Sequence, residues 1–173
     1  MSLKLIQEYH HKVQDILQYG GSRNETAIRP AFQKLLEQYC ADKKIELIQE
    51  LEFRPAQGSP VRPDGTLKDA LRQDWGYWES KDTFDSLDEE IRKKLAKGYP
   101  TSNILFEDSQ TAVLIQNGQE LQRATFSDHD ALHHLLTTFV NYEPKEVRTF
   151  REAIERFKED LPDLIVKLRE LIE

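Results

Sequence analysis

The sequence has one cysteine, no excess of basic residues and no long apolar run, and each of these features excludes a class of protein. Cys40 is the only cysteine among 173 residues, so no disulfide can form within the chain, and we expect a reducing, cytoplasmic compartment. Lys and Arg number 24 against 31 Asp and Glu, for a net charge of −7, which argues against a basic, sequence-independent nucleic-acid binder. No window approaches the roughly 18 apolar residues of a membrane span, and no secretory signal is expected at the N-terminus.

The hydrophobic pattern predicts ten helices and strands, followed by a helical tail. Hydrophobic residues make up 38% of the chain, which is enough for one core. The predicted order is two helices, three strands, a helix, three strands and a helix, and helices around a set of strands predict an α/β (α+β) fold with a mixed β-sheet flanked by helices. We expect an αβ domain at 1–142, with its motifs in 22–126, and a helical appendage at 143–173. The appendage is charged and has no C-cap, so we interpret it as a linker to further domains of a longer chain.

Local signals predict several boundaries. Two short strands are expected on either side of a turn around Asp74–Gly76. The dipeptide Asn117-Gly118 predicts a tight hairpin between two later strands. Ser127 with Asp130 predicts a capped start for the last helix of the αβ domain. In the tail, Pro162 is expected at the first residue of a second helix.

The residues that could carry chemistry stand on and beside the first two of these strands. Alternate side chains of a strand share a face, so Glu79 and Lys81 point the same way while Ser80 points the other. Asp64 precedes the neighbouring strand, and a tight turn would bring it beside Glu79. Converging carboxylates repel each other unless a proton or cation is shared, and such oxygen ligands suit Mg²⁺ or Mn²⁺. Because a lysine beside a metal can orient water or stabilise charge on a phosphate, the set is typical of phosphodiester hydrolysis.

The same residues belong to longer strings that resemble a known family. Pro63-Asp64 with Glu79-Ser80-Lys81 matches the PD-(D/E)xK nuclease pattern, although these charges alone would also fit a cross-strand salt bridge. The more specific strings are Gly76–Asp82, Leu87–Ile91, Gly98–Pro100, Asn103–Asp108 and Gln116–Gly118. Together they resemble the N-terminal Mrr-like nuclease domain of large single-chain restriction–modification enzymes of the Type ISP and Type IIG kinds. The resemblance spans about 22–142.

The resemblance implies a role for each residue of the motif. Asp64, Glu79 and the Ser80 carbonyl would be the metal ligands, with Mg²⁺ as the cofactor and Mn²⁺ as a substitute. Lys81 would be the catalytic lysine. The implied activity is that of a restriction endonuclease domain, which cleaves double-stranded DNA by metal-dependent hydrolysis. Methyltransferase, ATPase and target-recognition modules of the same parent chain would be its partners.

The first acid has alternatives, and three further side chains are candidate accessories. Asp69 and Asp74 lie nearer to Glu79 in sequence than Asp64 does, whereas the preceding proline and the family spacing favour Asp64. Glu25 matches a glutamate that often joins the site from the preceding helix. Gln116 could line the site from its strand, and Asp74 is the third accessory candidate.

The remaining hypotheses concern DNA contact and the absence of catalysis. The one dense basic run is a candidate DNA contact, although a solvated helix face explains it equally well; it consists of Arg92, Lys93, Lys94 and Lys97. The alternative function is a catalytically inactive, nuclease-like module that docks DNA or another protein. A sugar- or nucleotide-processing enzyme with paired carboxylates is a third hypothesis, and no binding motif supports it.

Overall fold

The structure is a computed structural model that describes residues 2–21 and 25–172. The chain divides into two units, Met1–Tyr142 and Glu143–Glu173. Among the described residues, the first unit holds six strands and four helices, and the second holds one helix. No helix of this described part combines the length and the apolar character that crossing a membrane requires. The helices are α1 (Ser2–Gly20), α2 (Glu25–Ala41), α3 (Leu87–Ala96), α4 (His129–Asn141) and α5 (Lys145–Ile172).

The six strands lie side by side in the order in which they occur in the chain. They are β1 (Glu46–Gln49), β2 (Gly65–Lys68), β3 (Asp74–Ser80), β4 (Asn103–Glu107), β5 (Thr111–Gln116) and β6 (Gln119–Thr125). Neighbouring strands are antiparallel except β3 and β4, which are parallel. Helix α3 joins that pair because parallel strands need a crossover connection. The predicted mixed sheet flanked by helices is confirmed.

Two apolar clusters cover the two faces of the sheet. Helices α1, α2 and α4 pack on one cluster, which includes Phe32 and Trp78, and α3 packs on the other, which includes Tyr77. The alternation of side chains along β3 sends Trp78 to the first cluster and Tyr77 to the second. Glu79, two residues after Tyr77, therefore faces α3, and Ser80 faces the opposite side.

The turn between β2 and β3 lies earlier than predicted. Asp74–Gly76 belong to β3, so the prediction of a turn there is wrong. The turn begins instead at Asp69, whose Oδ1 accepts the N–H groups of Leu71 and Gln73, each at 2.9 Å. An aspartate that bonds the backbone two residues later forms an Asx turn, and the apolar pattern does not reveal it.

The start of α4 also differs from the prediction. Asp128 is the N-cap, and its side chain accepts the N–H of Ala131 at 3.0 Å. The predicted cap at Ser127 is therefore wrong by one residue. Aspartate and serine are equally good N-caps, so two adjacent candidates cannot be separated by residue type.

The second unit is a single helix that continues through Pro162. The prediction of a separate helix beginning at Pro162 is therefore wrong. A proline inside a helix removes one backbone donor and crowds the preceding turn, at a cost of about 3 kcal/mol. Apolar residues nevertheless recur every three or four positions on both sides of it, from Phe150 through Leu161 to Leu168, and one amphipathic stripe favours one helix.

Candidate active site

Asp64 and Glu79 meet at the open end of the β2–β3 hairpin. Gly65 pairs with Trp78 across the two strands, so Asp64 stands opposite Glu79. The Asp64 N–H donates to Glu79 Oε2 at 3.3 Å, and the Ser80 N–H donates to Asp64 Oδ2 at 2.8 Å. These two bonds hold the carboxylates side by side, as the sequence predicted.

Gly65 allows the two strands to carry this pair. A Cβ at this position would lie 2.6 Å from Leu47 Cδ1 and 3.0 Å from Trp78 Cε3, closer than packed atoms come. The absent side chain therefore lets Trp78, which is 0% exposed, cross over the start of β2. Because Gly65 directly follows Asp64, this close packing also fixes the backbone that presents the Asp64 carboxylate.

Lys81 and Ser80 complete the predicted motif. The Lys81 Nζ lies 2.9 Å from Glu79 Oε1, and the Lys81 side chain is only 13% exposed. Its backbone N–H donates to the Glu107 carbonyl at 2.7 Å, which extends the β3–β4 pairing past the end of β3. Ser80 is buried and contributes its backbone N–H to Asp64. The structure thus brings all four predicted motif residues to one end of the sheet.

Arg29 of α2 joins the site, and the sequence analysis missed it. Its Nη2 lies 3.0 Å from Asp64 Oδ1, and its guanidinium carbon lies 5.9 Å from the centroid of the Trp78 ring. Glu50, which is 67% exposed, approaches the same guanidinium at 3.5 Å. Arg29 is separated from Asp64 by 35 residues of chain, and no motif connects them, so only the tertiary structure could identify it.

The basic run on α3 does not form one DNA-facing surface. Lys94 turns inward, and its Nζ lies 2.5 Å from Glu79 Oε1, the same oxygen that Lys81 contacts. Lys93 points elsewhere and pairs with Glu90 at 2.7 Å, while Arg92 and Lys97 are exposed. The four residues therefore do not share one surface, because Lys94 faces Glu79 while the others face outward, and their contact with DNA stays a prediction. A signal was present, since Lys94 is three residues after Ile91, on the apolar stripe of α3.

Burial and charge raise the pKa of Asp64 toward neutral pH. Burial, followed by the negative charge of Glu79, raises the pKa of Asp64 from 3.8 to about 6. The Ser80 N–H, Arg29 and Lys81 act in the opposite direction. A cation that binds between the two carboxylates would therefore compete with a proton on Asp64.

The two alternative first acids lie outside the site. The Asp69 carboxylate accepts backbone hydrogen bonds within the turn that follows β2. Asp74 stands at the start of β3, where it pairs with Lys68 and accepts the Tyr77 hydroxyl at 3.0 Å. Glu79 is five residues further along the strand, roughly 16 Å away. The geometry therefore selects Asp64 as the partner of Glu79, and Asp74 is not an accessory of this pair.

The other accessory candidates are not brought to Glu79 either. The Gln116 amide donates to Asn103 Oδ1 at 2.9 Å, and the Asn103 amide donates to the Trp75 carbonyl at 2.8 Å. Trp75 is four residues before Glu79, so Gln116 lies at the opposite end of β3, and its predicted position is wrong. The reason is register, because Gln116 pairs with the first residue of β4. Glu25 begins α2, but its side chain lies outside the described residues.

A third carboxyl is buried behind the site. Glu107 ends β4 beside Ser80 and is 1% exposed. Burial raises the pKa of Glu107 to about 7, against the opposing effects of hydrogen bonds from the Ser80 side chain and the Ser109 N–H. The Ser109 N–H donates to Glu107 Oε2 at 2.8 Å. The sequence analysis did not single out Glu107, although a charged residue at the end of an apolar strand is a signal of a buried carboxyl.

The donor set fits a hard divalent cation. Asp64 and Glu79 present carboxylate oxygens that are already fixed next to each other, which Mg²⁺ and Mn²⁺ prefer over nitrogen or sulfur ligands. Among the residues described, no three His, Cys, Asp or Glu side chains come together as a metal-binding group. Water would complete the coordination of such an ion, as is usual for Mg²⁺, and the Ser80 carbonyl stays the further ligand that the sequence resemblance implies.

Comparison with known proteins defines the class of the domain. The six-stranded mixed sheet with helices on both faces fits a restriction-endonuclease-like fold, and this predicted class is confirmed. The protein DrdV, solved in complex with DNA by cryo-electron microscopy, matches this chain at 50% identity with a TM-score of 0.85. The match covers 97% of this chain but only 17% of the DrdV chain. The resemblance to the nuclease domain of a restriction enzyme is thereby confirmed.

Two further solved structures are more remote. The type IIG restriction endonuclease BpuSI is 12% identical with a TM-score of 0.46, over 68% of this chain and 17% of that chain. A protein of the group DUF820 from Anabaena variabilis is 12% identical with a TM-score of 0.44, over 69% of this chain and 82% of that chain. No protein-family model and no curated protein matches this chain.

Proposed function

We propose that this chain is a Mg²⁺-dependent DNA endonuclease domain of a restriction–modification enzyme. The observation that carries the proposal is that hydrogen bonds from the Asp64 and Ser80 N–H groups hold the Glu79 and Asp64 carboxylates side by side, next to Lys81. Two adjacent carboxylates and a lysine suit metal-assisted hydrolysis of a phosphodiester. The likeness to a protein solved with bound DNA supports double-stranded DNA as the substrate.

Each residue of the set has a distinct part in this proposal. Asp64, Glu79 and the Ser80 carbonyl would hold the divalent ion, which when bound supplies Lewis-acid charge at the scissile phosphate. Lys81 keeps a positive charge beside the carboxylates, where it stabilises negative charge that builds on the phosphate and orients the attacking water. Glu79 is 2% exposed, so these groups are held in place before the substrate arrives, and little reorganisation accompanies the reaction.

The proposal extends to partners and setting. With a net charge of −7 and one dense basic run, this chain can neutralise few phosphates, so other parts of the parent protein would hold the DNA. Methyltransferase, ATPase and target-recognition modules are the partners that the sequence resemblance implies, and the small share of the DrdV chain that is covered leaves room for such modules. The cytoplasm, where duplex DNA is accessible, would be the setting.

Plasmid cleavage by the full protein that carries this chain tests the proposal. Cleavage should require Mg²⁺ or Mn²⁺ and stop in EDTA. Glu79→Gln, which keeps the shape and removes the charge, should lower the rate at least about a hundredfold. Asp74→Asn, a matched change at the exposed end of the same strand, should cut like the wild type. Equal losses in both variants, or wild-type binding to DNA without cleavage in any divalent ion, would support the inactive docking module instead.

A further inference from the structure

Lys94 is held in the site from two sides. Besides its contact with Glu79, its Nζ donates to the Tyr99 hydroxyl at 3.0 Å and lies 4.8 Å from the centroid of the Tyr99 ring. The Tyr99 hydroxyl donates in turn to the Arg62 carbonyl at 3.2 Å. The Lys94 side chain is 19% exposed, far less than the 63% of its neighbour Lys93. Lys94 therefore belongs to the site, where two partners hold it, rather than to the solvated surface of α3.

The charges of the metal-free site nearly balance, since Glu50 also contacts Arg29, and a bound divalent ion would leave an excess of positive charge. Asp64 and Glu79 have three cationic partners within 3.0 Å, namely Arg29, Lys81 and Lys94. A divalent ion between the carboxylates would add two further positive charges. Such an excess is unfavourable in a poorly solvated site unless an anion offsets it. A phosphodiester backbone supplies anions of this kind, at regular spacing along the substrate.

A metal ion that binds Glu79 Oε1 would compete with the two lysines that contact this oxygen, Lys81 and Lys94. Lys81 is anchored through its backbone to β4, next to the carboxylates. Lys94 reaches the oxygen from a separate element, α3, and has Tyr99 as a second partner. If the Lys94 ammonium leaves Glu79 Oε1, its hydrogen bond to Tyr99 keeps it beside the site. Its positive charge can then pair with another anion.

We propose that Lys94 is a second substrate-binding lysine of this site. It pairs with Glu79 while the carboxylates are free of metal, and it moves to a DNA backbone phosphate when a divalent ion takes that carboxylate. The inference rests on the proposed function, because it requires both the ion and the DNA. Tyr99 keeps the ammonium group within reach of both positions.

Two binding measurements on Lys94→Gln test the proposal, with Lys93→Gln as the matched control. The first is Mn²⁺ affinity by calorimetry without DNA. The second is affinity for a short duplex at several salt concentrations, with Ca²⁺ in place of Mg²⁺. Lys94→Gln should bind Mn²⁺ at least as tightly as the wild type, because a competing cation is gone. Its DNA affinity should fall, and the slope of log K against log salt should become shallower by about 0.9, the value for one phosphate. Lys93→Gln should leave the Mn²⁺ affinity unchanged, and it should lower the DNA affinity less than Lys94→Gln does, because exposed charges make screened contacts.

Each opposite result has a definite meaning. If Lys94→Gln weakened Mn²⁺ binding, or left the salt slope unchanged, Lys94 would only orient Glu79 and the proposal would be wrong. Tyr99→Phe removes one hydroxyl and should reproduce the loss of DNA affinity in smaller degree, which keeps the test decisive if Lys94→Gln fails to fold. Failure of the proposed function gives a different pattern, in which the wild type and Glu79→Gln bind Mn²⁺ equally weakly.

Discussion

The two ends of the β2–β3 hairpin carry the same kinds of side chain in opposite surroundings. At the turn end, Asp74 pairs with Lys68, and their side chains are 39% and 26% exposed. At the open end, Glu79 pairs with Lys81, and theirs are 2% and 13% exposed. An exposed pair contributes about 0–1 kcal/mol because water screens it. The difference teaches that burial and fixed hydrogen bonds, rather than residue type, distinguish a candidate catalytic set from a surface ion pair.

The largest contrast should appear in cleavage by the full protein. Lys81→Ala and Asp64→Ala should each lower the rate at least about a hundredfold, whereas Lys68→Ala at the turn end should have no effect. The two inactive variants should separate in a Mn²⁺ titration, because Asp64 would be a ligand and Lys81 would not. Cleavage by Lys81→Ala at the wild-type rate would remove the catalytic assignment and favour the docking module.

Glycine substitutions at the two ends should separate stability from metal binding. A Cβ on Gly76 would lie 2.7 Å from Asn103 Nδ2, and the clash at Gly65 is as close. Both alanine variants should therefore lose about 1–3 kcal/mol of unfolding free energy, measured in urea. Only Gly65→Ala should also weaken Mn²⁺ binding, because it shifts the backbone of Asp64.

Gly20→Ala is the control for these variants, since a Cβ there meets no atom within 4 Å. It should stay within about 0.5 kcal/mol of the wild type. Unchanged Mn²⁺ affinity in a folded Gly65→Ala would show that the packing of Gly65 does not position Asp64.

The pH dependence of stability should report the buried carboxyls. Burial raises the pKa of Asp64 to about 6 and that of Glu107 to about 7, above their values in the unfolded chain. Between roughly pH 4.5 and 7 the folded state binds more protons, so the unfolding free energy should fall as pH rises. Asp64→Asn and Glu107→Gln should each flatten this slope in metal-free urea titrations. A slope that survives in the double variant would assign the effect to other groups.

The smallest effects should come from the exposed basic residues of α3. Arg92→Ala and Lys97→Ala should each weaken duplex binding only a few-fold, because exposed charges make screened contacts. Fluorescence anisotropy at 50–150 mM salt, roughly the range in which one Debye length is about 10 Å, would measure this. A tight, salt-resistant and sequence-specific complex with this chain alone would contradict the expectation.

The sequence predicted those parts of the site that depend on local order. Asp64, Glu79 and Lys81 stand on two adjacent strands, so strand alternation and a short connection suffice to bring them together. Arg29 comes from a helix far away in the chain, and its contact depends on how α2 packs over Trp78. Gln116 was misplaced because the register between β4 and β5 decides which end of the sheet it occupies.

The boundaries of the helices, strands and turns were harder to predict than the order of these elements. The order of elements through α4 followed from periodicity, since apolar spacing distinguishes helices from strands. The turn at Asp69 and the cap at Asp128 depend on side-chain bonds to the backbone, and several neighbouring residues could have made them. The charge of Lys94 suggested that its side chain would be exposed to solvent. Its position on the apolar stripe of α3 instead directs the side chain toward Glu79.

The apolar stripe of α3 determines which side chain of this helix faces Glu79. Leu87 and Ile91 are buried against the sheet, which fixes the rotation of the helix about its axis. Each residue advances that rotation by 100°, the angle implied by about 3.6 residues per turn. One residue inserted between Ile91 and Lys94 would present a different side chain to Glu79 without altering any charge in the chain. Two apolar residues that touch no substrate thus decide which of the basic residues becomes part of the site.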